Sequence, residues 1–148
     1  FVIVAFRLAV FYSGSFYAPI GRYANLIDFL ILLPVIFWGI KFKKERDMKE
    51  NYIMKEAIKA ALQIVLAISL TVALFMYVFY TFETSAILEQ TQNYLLTLSM
   101  PAAKVSGILT NLKEFYSPFH QATIALFMHL IFGAIMSFLC AAILGQKK

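Results

Sequence analysis

The chain has 148 residues, 61% of them hydrophobic and 14% charged, with a formal net charge of +5. Soluble domains carry about 25% charged and about 45–50% apolar residues, so this composition excludes an ordinary soluble domain and points to an integral membrane protein. A single cysteine, Cys140, excludes an internal disulfide framework and any multi-cysteine metal site.

Phe1 to about Ala18 is apolar and aromatic, broken by Arg7 and by Ser13-Gly14-Ser15. It has no basic leader and Arg7 interrupts its apolar core, so it does not read as a signal peptide. No Met precedes Phe1, and a few leader residues are expected there. Pro19 and Gly21 mark a turn. The second run, Ala24 to Ile40, holds Asp28 near its start, Pro34 inside it and Trp38 near its end. Tyr23 and Trp38 suit the two membrane–water interfaces. Pro34 is expected to kink the helix, which membrane helices tolerate.

Lys41 to Glu56 is dense in charge and lacks turn-rich composition. It reads as a cytosolic connector that continues both neighbouring helices past the membrane surface. Its Lys and Arg residues have some attraction for anionic lipid, reduced by the interleaved Glu45, Asp47, Glu50 and Glu56. The third run, Ala57 to Phe82, is long and holds no Asp, Glu, Arg or His. Ala57, Ala61, Ser69 and Ala73 fall on one i+4 row, with Val65 filling the gap.

Glu83 to Ser117 is polar enough to leave the membrane. Ile87, Leu88, Tyr94, Leu95 and Leu98 are spaced for one amphipathic helix, and Val105, Ile108, Leu109, Leu112 and Tyr116 for another. Pro101 separates the two, which predicts an amphipathic outer hairpin. Ser117-Pro118 then reads as N-cap and first helical position of the last span.

The last run, Phe119 to Gly145, contains no Asp, Glu, Lys or Arg and is long enough to cross a bilayer, which takes about 20 apolar residues. Ala125, His129, Gly133, Ser137, Ala141 and Gly145 recur at every fourth position. One face is therefore narrow, apart from one imidazole. Small residues let two helices approach closely in lipid, so this face is expected to meet the Ala61–Ser69–Ala73 row.

The fold expected is all-α: one membrane domain over 1–148, a polytopic bundle of four transmembrane helices (about 1–18, 24–40, 57–82 and 119–145) with an outer amphipathic hairpin. Lys41, Lys43, Lys44, Arg46, Lys49, Lys55, Lys59, Lys147 and Lys148 then lie on one side, against Arg22, Lys104 and Lys113 on the other. The bias toward basic residues inside makes the first side cytoplasmic, with both termini there.

The stretch from Phe37-Trp38-Gly39-Ile40-Lys41 through the third span to its Tyr/Phe cluster, with the last span and its terminal lysine pair, carries a resemblance. It resembles domain of unknown function 4199, a family of small bacterial membrane proteins common in the Bacteroidota. The resemblance implies four spans and an inner-membrane address. It implies no catalytic residues. The connector departs from the family, which often has a glycine-containing turn where this chain has Glu50-Asn51-Tyr52-Ile53.

Arg7, Asp28 and His129 are the polar candidates inside the apolar runs. His129 lies about ten residues into the last span, roughly 15 Å deep. Such a group faces protein or water: as a proton relay or cofactor ligand, or as one partner of an interhelical hydrogen bond to Ser69 or Thr71, the commoner case. Arg7 is costly at depth and is expected to pair with Asp28 on the neighbouring antiparallel segment, or else to snorkel to the surface. No phosphate loop, His-Glu-x-x-His or nucleophile motif is present. Glu83, Glu89 and Glu114 read as the solvated face of the outer segment. No enzyme, no metal, no cofactor and no nucleic-acid partner is expected. The reading is an accessory or structural subunit that packs against lipid and against other membrane subunits or copies of itself. The alternative is a small oligomeric transporter or channel using Arg7, Asp28 and His129.

Overall fold

The structure, a computed structural model, describes residues 2–13, 24–47 and 53–145. These residues are 94% helical, so the protein is all-α. Among the described residues five helices follow one another: α1 (Val2–Tyr12), α2 (Ala24–Asp47), α3 (Met54–Thr97), α4 (Ala102–Phe115) and α5 (Pro118–Gly145).

Two helices among the described residues, α3 and α5, are long and apolar enough to cross a membrane. Four were expected. The described part of the first run is a helix of 11 residues, about 16 Å at 1.5 Å per residue, half of a hydrocarbon core of about 30 Å. The rest of that run, 14–18, lies outside the described residues. In α2 the apolar stretch ends at Ile40, and the last two turns are Lys41-Phe42-Lys43-Lys44-Glu45-Arg46-Asp47. Helix α2 continues through Pro34 as one helix. The connector does extend both neighbours: α2 runs to Asp47 and α3 starts at Met54, with 48–52 outside the described residues.

The outer hairpin differs from expectation in its first arm. Residues 83–97 do not form a separate helix but continue α3, which is 44 residues long. Between Met54 and Leu98 there is neither Gly nor Pro, so nothing interrupts helix propagation where the sequence turns polar. The chain turns only at Leu98–Pro101, with Ser99 in the left-handed region at φ 55°. Helix α4 starts after Pro101, whose carbonyl accepts from Lys104 and Val105 N–H at 2.9 and 3.1 Å. Helix α5 starts at Pro118, and the Ser117 carbonyl accepts its first backbone bond from Gln121.

The residues gather into two compact units, Phe1–Leu70 with Phe127–Lys148, and Thr71–Leu126. The core of the first is built from Leu32, Ile36 and Ile40 of α2, Ala57, Ala61 and Val65 of α3, and Cys140 and Ala141 of α5. Large side chains come from α2 and mostly small ones from the other two, so three helices close on one seam by dispersion. In the second unit Tyr80 stacks on Tyr116 at 6.0 Å and 9°. Thr84 Oγ1 donates to the Tyr116 carbonyl at 3.0 Å, and Gln121 Nε2 donates to the Phe115 carbonyl at 2.8 Å. These polar bonds fix the turn between α4 and α5.

Candidate functional site

Helix α1 presents Ile3, Arg7, Val10 and Phe11 on one face, the i, i+4, i+7, i+8 stripe of a packed helix. Ile3, Val10 and Phe11 are buried. Arg7 is the one charge on that stripe, and its partner comes from α2. Arg7 Nε donates to Asp28 Oδ2 at 2.7 Å, and Nη2 donates to the same oxygen. Asp28 is 0% exposed and the Arg7 side chain 15%. The two charges neutralise each other inside the first unit.

His129 completes the cluster from α5. It is 2% exposed, and its Nε2 stands 4.0 Å from Asp28 Oδ2, too far for a direct hydrogen bond. Ser69 does not satisfy it by donation: the Ser69 hydroxyl donates to the Val65 carbonyl of its own helix at 2.7 Å. Asp28 Oδ1 has no hydrogen-bond partner among the described residues. One carboxylate oxygen is thus doubly engaged and the other is open.

Sequence reasoning did not single out Phe29. Its ring lies 5.6 Å from the His129 ring and stacks on Phe132 at 4.2 Å, forming an aromatic wall beside the imidazole. The one available signal was its position next to Asp28 on a helix already credited with a polar partner.

His129 shares its face of α5 with Gly133, Ser137 and Ala141, all buried. A Cβ built on Gly133 would lie 2.8 Å from Val65 Cγ2 and 3.1 Å from Val65 Cβ, and closer still to Cγ1. The two narrow rows therefore meet at Gly133 and Val65, with Ala61 and Ser69 fully buried on the α3 side. Ser137 Oγ donates to the Gly133 carbonyl at 2.6 Å. Ala73, the last of the α3 row, is buried in the second unit.

The charged end of α2 is largely paired with itself. Lys43 bonds Asp47 and Lys41 stands 3.8 Å from Glu45, both at i,i+4. The Lys43 hydrogen bond holds the Asp47 carboxyl below the usual carboxylate range. Lys44 reaches α5 and donates to the Leu144 carbonyl at 2.6 Å, where a cation is favourable at a helix C-terminus.

Chemically, the cluster offers one fixed cation, one carboxylate with an open oxygen, and one imidazole, held on three helices. It lacks a nucleophile. Over residues 1–146 the chain matches the family described as "Protein of unknown function (DUF4199)". No curated protein and no solved structure matches it.

Proposed function

Since the chain belongs to that family of unknown function, we propose a role from its geometry: a non-enzymatic bacterial inner-membrane protein that serves as an accessory, structural subunit of a larger membrane assembly or of its own oligomer. The observation that carries this reading is the division of its surface. Asp28, Ser69, His129 and Ser137 of the first unit are buried, while Leu62, Leu66 and Leu70 of α3 and Ile131, Ile135, Phe138 and Ile143 of α5 are exposed. Such a surface suits lipid. Beyond the apolar part of α3, Tyr94, Leu96, Leu98 and Phe115 remain exposed as well, and they suit cover by a partner or by another copy.

In this reading the chain crosses four times with both termini cytoplasmic. Leu32, Ile36 and Ile40 run alongside Val65, Ala61 and Ala57 in one core, so α2 occupies the same depth as α3. Helix α1 pairs with α2 through Arg7 and Asp28. Cysteine labelling in intact cells tests the orientation: Gln92→Cys should react with an impermeant reagent and Lys49→Cys should not. Purification in mild detergent with mass analysis tests the role. Stoichiometric membrane partners or a defined oligomer are expected, and a lone monomer in native-like lipid would contradict it.

A second reading, a small oligomeric transporter or channel, is favoured by one observation, the convergence of Arg7, Asp28 and His129. Solute or ion flux from the reconstituted chain alone, lost in Asp28→Asn or His129→Ala, would replace the accessory reading with this one.

A further inference from the structure

We propose that His129 is a proton-binding site of the helix bundle, with the Asp28 carboxylate receiving the imidazolium. Three observations carry it. Asp28 is fully buried and its Oδ1 accepts no hydrogen bond from the described residues, and an open acceptor in apolar surroundings is costly. The His129 ring stands with Nε2 at 4.0 Å from the same carboxylate, so a shift of about 1.2 Å reaches the distance of a charge-assisted bond. The Phe29 ring, 5.6 Å from the imidazole, is within the roughly 6 Å at which an aromatic face stabilises a cation.

Charge decides where the proton sits. With Arg7 charged, Asp28 ionised and His129 neutral, the cluster is neutral. A proton on Asp28 would leave the Arg7 guanidinium buried beside a neutral acid. A proton on the His129 ring leaves the carboxylate between two cations, each still beside an anion. Among the described residues the other packed elements bring no competitor. Helix α1 adds only the exposed Tyr12. Residues 60–70 of α3 hold no titratable side chain. On α5, His120 and Cys140 are each more than two turns away. Binding the proton draws α5 onto α2 through His129 and Asp28, while Asp28 Oδ2 keeps hold of α1 through Arg7. Neither the accessory reading nor the transport reading is needed for this site.

The test is solid-state NMR of the full chain, labelled with ¹⁵N-histidine and ¹³C-aspartate, in phosphatidylcholine–phosphatidylglycerol vesicles. In a His120→Gln background the remaining imidazole should convert from neutral to doubly protonated between about pH 8 and pH 5, the range of histidine titration. The distance from its ring nitrogen to the Asp28 carboxyl carbon should shorten in step. Adding Asp28→Asn should shift the conversion to at least tenfold higher proton concentration. An imidazole still neutral at pH 5, or one that titrates identically with Asp28→Asn, overturns the proposal. Should Asp28→Asn not fold, the distance in the otherwise unchanged protein decides: no shortening on protonation overturns it equally.

Discussion

Gly133 and Gly39 both sit where a side chain would meet another helix, yet their neighbours differ. At Gly39 the obstacle is Ile64 Cδ1, the far end of a flexible side chain, which can swing aside. At Gly133 it is Val65, through both methyls and Cβ, and a β-branched side chain on a helix has little rotamer freedom. Gly133→Ala should therefore destabilise the chain by about 1–3 kcal/mol, while Gly39→Ala should cost less than half as much. Unfolding in mixed micelles measures both, and Val65→Ala should recover part of the Gly133→Ala loss. The Arg7–Asp28 pair behaves differently, because its cost lies in leaving one charge behind. Arg7→Leu or Asp28→Leu alone should cost about 3–5 kcal/mol, and the double replacement should be much nearer neutral. A double-mutant cycle in the same micelles reads the difference, and equal additive losses would contradict a paired cluster.

At the scale of elements, Lys44 is the clearest case of one helix finishing another. Its ammonium takes up the Leu144 carbonyl, one of the four left open at the end of α5. Lys44→Met keeps the aliphatic stem and removes the donor. It should loosen the last turn by about 0.5–1 kcal/mol, seen as faster amide exchange over Ala141–Gly145 with the middle of α5 unchanged. Element boundaries also show what the sequence made legible. The narrow rows were readable because small residues at a four-residue period survive any detail of packing. Pro101 and Pro118 were readable because proline acts on its own backbone. The continuity of α3 past Phe82 is not legible from hydropathy, because the composition turns polar at Glu83 while the helix continues to Thr97. Hydropathy reports the surroundings of a helix, not its end. Absence of Gly and Pro up to Leu98 was the better guide. In the site, the Arg7–Asp28 pair is one of three readings that the charges allow, beside snorkelling and a transport site, and it is the one the structure contains. The approach of His129 to Asp28 was not legible, since it depends on how α5 is rotated against α2.

For the whole molecule, both boundaries between the compact units fall inside helices, at 70/71 in α3 and 126/127 in α5. The units still have separate cores, one of aliphatic seams and one pinned by Tyr80, Thr84, Tyr116 and Gln121. A break placed within the second should stay there. Ala86→Pro removes a backbone bond to Phe82 and costs about 3 kcal/mol or more. Amide exchange should accelerate over 80–97 and 102–115, while protection around Leu32, Ala61, Val65 and Ala141 is retained. Loss of protection in both sets together would mean that the molecule unfolds as one cooperative body.

The unbroken length of α3 carries a mechanical consequence. At 44 residues it measures about 66 Å, more than twice the roughly 30 Å of a hydrocarbon core. Its apolar run alone, 57–82, measures about 39 Å, so it too exceeds that thickness. A bilayer accommodates such an excess by letting the helix tilt or by thickening around it, so the run is suited to lean rather than stand upright.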